Sequence, residues 1–321
     1  MASLQRATLR QLRIFEAAAR HLHFGRAAAE LHLSQPAVSI QLKQLETDVQ
    51  LPLFEQMGRR MNLTHAGAEL AGHARAILAR LREANDAIDG LKGVSAGELH
   101  IASTTTAVYF VPRLLAAFRQ NRPELKVRLT VKNRDLVVRD LVENTIDLAV
   151  MGAAPPGLDT VSVAFTKNPL AIIASLDHPL ARRRRVRLEQ LAEETFLIRE
   201  PGSGTRTAME RAFSAHSFRP RETVEIGSNE TIKQAVMVGM GVSFLSLHTT
   251  GLELATRQLA VLKVDGMPVM RDWCVIHRKR KRLSPATAAF KDYLVAEGAG
   301  LIERAMRCAP WPEKRTSANS L

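Results

Sequence analysis

Three short runs beyond residue 98 carry the side chains best suited to hold an anion. They are Ser103-Thr104-Thr105-Thr106, Gly202-Ser203-Gly204-Thr205-Arg206 and Gly227-Ser228-Asn229-Glu230-Thr231. Each follows a short apolar stretch with strand character and opens a stretch with helical periodicity. A strand-to-helix turn of this kind presents unpaired backbone N–H groups, hydroxyl or amide donors and the positive end of a helix dipole. Arg206 and Lys233 add fixed charge. In open α/β sheets the ligand lies at the carboxyl ends of the strands. Together the turns predict an anion-binding cleft built from Ser103, Thr104, Thr105, Ser203, Thr205, Arg206, Asn229 and Thr231. Each run alone could do no more than cap its helix.

Neither G-x-G-x-x-G nor G-x-x-x-x-G-K-S/T occurs, so no nucleotide loop is indicated. No catalytic set is visible. Ser243 sits in GMGVSFLS, which lacks the G-x-S-x-G spacing of a nucleophile turn. The ten histidines show no metal spacing, and Cys274 and Cys308 match no metal or redox motif. The reading is therefore a binding protein, with no catalytic residues, metal or cofactor and with two free thiols.

A second set lies near the start of the chain. Gln35, Ser39 and Lys43 recur every fourth residue and share one polar helix face. Val38, Leu42, Leu45 and Val49 recur at steps of four, three and four and form an apolar stripe. Ser34 is placed to cap this helix, and Pro36 falls in its first turn, where a missing N–H costs nothing. Gly25 to Leu31, with Ala27, Ala28 and Ala29, predicts a shorter helix before it, and His32-Leu33 the turn between. Two helices so joined, with Gln/Ser/Lys outward, match a DNA-reading helix-turn-helix over 24–43. An ordinary helical hairpin with a solvated polar face fits the same pattern.

Stepwise along the chain, Thr8–Leu22 reads as an amphipathic helix with Leu9, Leu12, Phe15 and Ala19 on one side. Two extended pieces around Gly58 predict a wing with Arg59 and Arg60 at its tip, able to meet phosphate or a minor groove. Thr64 caps a long helix to about Leu91. In it Leu70, Ala74, Ile77, Leu81, Ala84, Ile88 and Leu91 alternate steps of four and three, a heptad seam that predicts pairing with a second copy. Residues 92–97 read as a hinge. Strands and helices then alternate. Leu99–Ala102, Leu125–Val131 and Ile146–Met151 enclose two helices as a βαβαβ half. A second half holds strands at Leu170–Ala174, Phe196–Ile198, Val224–Ile226, Val242–Leu245, Leu259–Val264 and Trp273–His277. Ser284-Pro285 starts a last helix to about Glu297. The tail beyond Cys308 has a disordered composition.

A net charge of +13 suggests an anionic partner. Residues 1–92 hold 12 Lys/Arg against 9 Asp/Glu. Most of the excess thus lies in the second part and suits a small anion as well as DNA. Arg182–Arg185 and Arg278–Arg282 read as solvated loops. No apolar run is long enough to cross a membrane, and no signal segment is evident, so a cytoplasmic protein is expected.

The residues LRQLRIFEAAARHLHFGRAAAELHLSQPAVSIQLKQLE, followed by LPLFEQMGRRMNLTHAG, resemble the winged helix-turn-helix of LysR-type transcriptional regulators. REPGSGTRT, GSNETIKQAVMVGMGVSFLSLHTTGLEL and KRLSPA resemble more narrowly the regulators of Calvin-cycle (RuBisCO) operons. The similarity spans about Leu4 to Gly300. It implies an α/β protein with an all-α N-terminal part: a winged helix-turn-helix over 7–64, a linker helix over 65–92 and a two-lobed effector domain like periplasmic binding proteins. Lobe I would comprise 93–162 and 268–300, lobe II 163–267, with 301–321 a tail. The resemblance implies that Gln35, Pro36, Ser39 and Lys43 face the major groove of double-stranded operator DNA and that Arg59 approaches the adjacent minor groove, with Arg60 beside it in the DNA-binding set. Linker helices would pair into dimers and tetramers. An effector, a phosphorylated metabolite or NADPH, would sit between the lobes. Such an activator of carbon-fixation genes would have RNA polymerase as a further partner. Three positions depart from the pattern: Gln56 stands where arginine is usual, Gln50 where glycine is usual, and Val108 where that group often has lysine. A metabolite-binding protein without a gene target would need the second part alone.

Overall fold

The computed structural model describes residues 4–58, 60–90 and 97–306. Two compact units divide the chain, Met1–Leu91 with Val142–Thr145 and Lys92–Leu141 with Ile146–Leu321. In the first, α1 (Leu9–His21), α2 (Phe24–Glu30) and α3 (Gln35–Val49) precede a hairpin of β1 (Phe54–Met57) and β2 (Arg60–Leu63) and the long α4 (His65–Gly90). Thr8 closes a reciprocal cap with Gln11, which satisfies orphan N–H groups at the start of α1. Phe15, Ala18, Ala27, Val38, Leu42, Leu45, Leu53 and Ala74 make the core.

Two expectations change here. Leu9 is 45% exposed, because the buried face of α1 runs through Leu12, Ile14, Phe15, Ala17 and Ala18 instead. The α4 seam also divides. Leu70 and Ala74 pack into the core of their own unit, while Ile77, Ala84 and Ile88 stay exposed and Leu81 is half-buried. The second and third turns of α4, where Leu70 and Ala74 lie, are spent on the core of their own unit. Leu91, the hinge at 92–96 and the tail beyond Cys308 lie outside the described residues.

The second unit holds β3 (Gly97–Thr104), α5 (Val111–Arg119), β4 (Leu125–Lys132), α6 (Arg134–Val142), β5 (Leu148–Met151), β6 (Thr160–Ser175), β7 (Thr195–Ile198), α7 (Gly204–Ala215), β8 (Glu222–Glu225), α8 (Asn229–Met237), β9 (Ser243–Ser246), α9 (Gly251–Ala255), β10 (Leu259–Val261), β11 (Val269–Arg278) and α10 (Pro285–Met306). Parallel pairing of β3 with both β4 and β5 gives the expected βαβαβ half. The sheet is mixed, in the order β10-β6-β11-β5-β3-β4, and β9 also pairs β6. The long β6 and β11 run antiparallel and connect the two lobes. One core gathers Leu99, Ile101, Phe118, Val150, Trp273 and Phe290; another gathers Leu170, Ile172, Phe196, Phe213 and Phe244.

β6 begins ten residues before the expected Leu170. Its first part, Thr160 to Ala164, is half-buried or exposed, Phe165, Asn168 and Pro169 are buried, and the span is held by pairing with β11 rather than by an apolar run. The last helix also outruns its expected end at Glu297. Gly298 suggests a stop, yet a Cβ there would lie 2.9 Å from the Phe165 ring. The glycine admits that ring, and buried Ile302 continues the helix.

Candidate DNA-reading head and effector cleft

In the head, Ser34 accepts a hydrogen bond from the Ala37 N–H at 3.3 Å and starts α3, with Pro36 in the first turn. His32, at φ +54°, makes the turn, and the Leu33 N–H donates to Ala28 O at 2.9 Å. Val38, Leu42 and Leu45 are at most 2% exposed. Burial of that stripe turns Gln35, Pro36 and Lys43 outward, with Ser39 half-buried beside them. The wing is fixed to α3 because Glu46 Oε1 accepts from the Leu53 N–H at 2.7 Å and from the Phe54 N–H at 3.3 Å. Phe54 pairs with Leu63 and Met57 with Arg60 across the hairpin, whose turn is at Gly58. Arg60 is exposed at the tip; Arg59 lies outside the described residues. Gln56 donates to Gly58 O at 3.1 Å and so closes the turn in place of a charge.

In the second unit the carboxyl ends of β3 and β7 meet. Thr104, Thr105, Thr106, Ser203 and Thr205 line one cavity with Asn133, Arg134, Asn168, Arg271 and Trp273. Its volume is about 30 Å³, room for a water or two. Thr106 Oγ1 and Thr205 Oγ1 are 3.5 Å apart. Ser203 precedes α7 without bonding its N–H groups, so both its hydroxyl and the helix start face the cavity unspent. Gly202, at φ +80°, has room for a Cβ only 3.0 Å from Asp135 Oδ2. Its carbonyl accepts from the Asp135 N–H at 3.3 Å.

Arg271 is the charge at the cavity wall. Its Nη1 donates to Gly204 O at 2.7 Å, and no carboxylate pairs with it among the described residues. Burial first, then Arg134 and Arg211, holds its pKa below the usual arginine value. An anion would offset both effects. Beneath it Trp273 Nε1 donates to His248 Nδ1 at 2.9 Å. Burial pushes the His248 pKa down to about 4, which keeps the ring neutral and able to accept.

Beside the cavity a buried clasp joins the two sides. Arg199, 2% exposed, bonds Glu200 through Nε and Nη2, Asn229 Oδ1 through Nη1 and Thr105 Oγ1 through Nη2. Asn229 Nδ2 returns a bond to Thr105 O at 3.3 Å. Tyr109 donates to Glu230 Oε1 at 2.6 Å nearby.

Three expected cleft residues are placed elsewhere. Ser103 is fully buried beneath the cavity, since alternation along β3 turns it away from Thr104. Arg206 is taken up by Glu210 and Glu225 on the outer side of α7. Thr231 is exposed on α8, past the turn that Asn229 occupies. Lys233 is spent as well, on Glu253 at 2.7 Å and Glu230 at 2.8 Å. Sequence reading missed Arg271, Arg134, Asn168 and Arg199. The one available signal was a charged or polar residue interrupting an apolar strand, as Arg271 does in VMRDWCV.

A helix-turn-helix with a wing, followed by a two-lobed cleft lined with hydroxyls and guanidinium, defines a ligand-responsive DNA-binding protein. Residues 9–68 match the model of the bacterial regulatory helix-turn-helix protein, lysR family, and residues 92–299 that of the LysR substrate binding domain. The chain belongs to the LysR family of transcriptional regulators. It is 50% identical over 292 residues to the RuBisCO operon transcriptional regulator of Allochromatium vinosum, covering 91% of this chain and 97% of that one. It is 49% identical to the HTH-type transcriptional regulator CbbR of Rhodospirillum rubrum, over 90% of this chain and 96% of that one. Its fold matches the CcmR regulatory domain of Synechocystis PCC6803, solved in complex with 2-PG, with a TM-score of 0.60 and 42% identity over 62% of this chain and 96% of that one. No described helix is long and apolar enough to cross a membrane.

Proposed function

We propose that this protein is a cytoplasmic activator of carbon-fixation genes, controlled by a small phosphorylated anion bound between lobes 93–162 with 268–300 and 163–267. Arg271 carries the reading: a half-buried guanidinium with no carboxylate partner among the described residues, beside the open start of α7. Such a wall suits a phosphate or carboxylate. The relative solved with 2-PG makes 2-phosphoglycolate the first effector to try. The effector contacts are Thr104, Thr105, Ser203, Thr205 and Arg271. A cavity of about 30 Å³ is too small for that molecule, so binding selects a more open arrangement of the lobes.

In the head, Gln35, Pro36, Ser39 and Lys43 read the major groove and Arg60 approaches phosphate. Copies associate through Ile77, Leu81, Ala84 and Ile88, two heads hold an interrupted palindrome, and effector binding alters how DNA is bent and presented to RNA polymerase. The protein acts by binding and turns over no substrate.

The test is a gel mobility shift on the promoter beside its own gene, with and without 2-phosphoglycolate, ribulose bisphosphate, phosphoenolpyruvate and NADPH. A specific shift altered by one of them supports the proposal. A shift indifferent to all four removes the anionic effector, and no specific shift removes gene control.

A further inference from the structure

The outward face of α3 is not wholly polar. Ile40 is 66% exposed, the most exposed large apolar side chain among the described residues of the head. At 100° per residue it points almost opposite to Val38, Leu42 and Leu45, so it stands on the outward side of the helix beside Lys43, about 60° round from that side chain and about 100° from Ser39. No acidic residue precedes Glu46 on this helix, and Glu46 is turned to the wing. The neighbours of Ile40 three and four residues away are Pro36, Ala37, Lys43 and Gln44, which add an ammonium and an amide and no carboxylate, a surround compatible with the floor of a major groove. The groove offers one apolar group, the C5-methyl of a pyrimidine. An isoleucine on a helix is held largely to one χ1 rotamer, so its terminal methyls project to a fixed depth.

We infer that Ile40 reads the C5-methyl of one thymine in each operator half-site. The inference rests on the head binding DNA through α3. It adds an apolar specificity contact to the hydrogen-bonding ones.

The experiment scans deoxyuridine for thymine through a promoter half-site and measures binding of the parent and of Ile40→Ala by titration. The exposed position and the high helix propensity of alanine keep the variant folded. The parent is expected to lose about four-fold at one thymine, the contribution of one buried methyl. Ile40→Ala is expected to bind the thymine and uracil duplexes equally. Placing 5-methylcytosine instead of cytosine at that position should recover part of the parent's affinity but none of the variant's, which separates the methyl from the thymine carbonyl. A uracil penalty of equal size in both proteins, or no penalty at any thymine in a duplex the parent binds specifically, overturns the inference and leaves gene control standing. Absence of specific binding by the parent overturns both.

Discussion

The Arg271 guanidinium donates to the carbonyl oxygen of Gly204 at 2.7 Å and thereby ties β11 to the first turn of α7. A side chain from one strand so reports on the position of a helix start across the cavity. Loss of that charge should weaken an anionic effector without touching the head. Arg271→Met is expected to raise the Kd for 2-phosphoglycolate by about 30- to 150-fold, the loss of a charged hydrogen-bond pair worth roughly 2–3 kcal/mol. Isothermal titration checks the first value and a mobility shift the unchanged operator affinity. A Kd within three-fold of the parent would take Arg271 out of the site.

Arg199 is a different kind of arginine. It is fully partnered, and its partners Thr105 and Asn229 come from elements that face each other across the cleft. Arg199→Met removes the donor and strands Glu200, Asn229 and Thr105. A loss of about 3 kcal/mol in urea unfolding is expected, the usual effect of breaking a buried ion pair from one side. A change below 0.5 kcal/mol would show that the clasp contributes nothing net.

His248 makes stability depend on pH. Its folded pKa of about 4 lies below the ordinary 6.5, so the unfolded chain binds its proton first. The neutral ring's contribution is complete above pH 6.5 and is lost progressively as pH falls toward 4. By pH 4 the loss should reach roughly 3 kcal/mol. His248→Gln keeps an acceptor for Trp273 but does not titrate. Its stability should fall less than the parent's between pH 6.5 and 4, and parallel curves in denaturant titrations would refute the assignment.

Gln50 ends α3 at φ +57°, a left-handed position. Most residues are strained there, and glycine is not. Gln50→Gly should stabilise the head by up to about 1 kcal/mol, the relief being partly offset by the greater freedom of glycine in the unfolded chain. A thermal melt in which the variant is no more stable would mean that the glutamine is accommodated without strain.

How much of this was legible beforehand depends on the range of the interaction. The helix-turn-helix was readable because its determinants are local. Ser34, Pro36 and the Val38–Leu42–Leu45 stripe act within one or two turns. The hydroxyl-rich helix starts were visible for the same reason, and Thr104, Thr105, Ser203, Thr205 and Asn229 do converge. What ordering along the chain could not reveal was which charges stay unspent. Arg206 and Lys233 looked available, yet Glu225 and Glu253, 19 and 20 residues away, neutralise them. Arg271 looked like an interruption in a strand, yet antiparallel pairing of β6 with β11 carries it to the cavity wall beside residues nearly 70 positions earlier. Local propensity and periodicity were set by the residues themselves. The pairing of distant strands, and with it which cations meet a carboxylate and which do not among the described residues, was decided in the tertiary structure, because burial and Coulomb attraction act on proximity in space rather than along the chain.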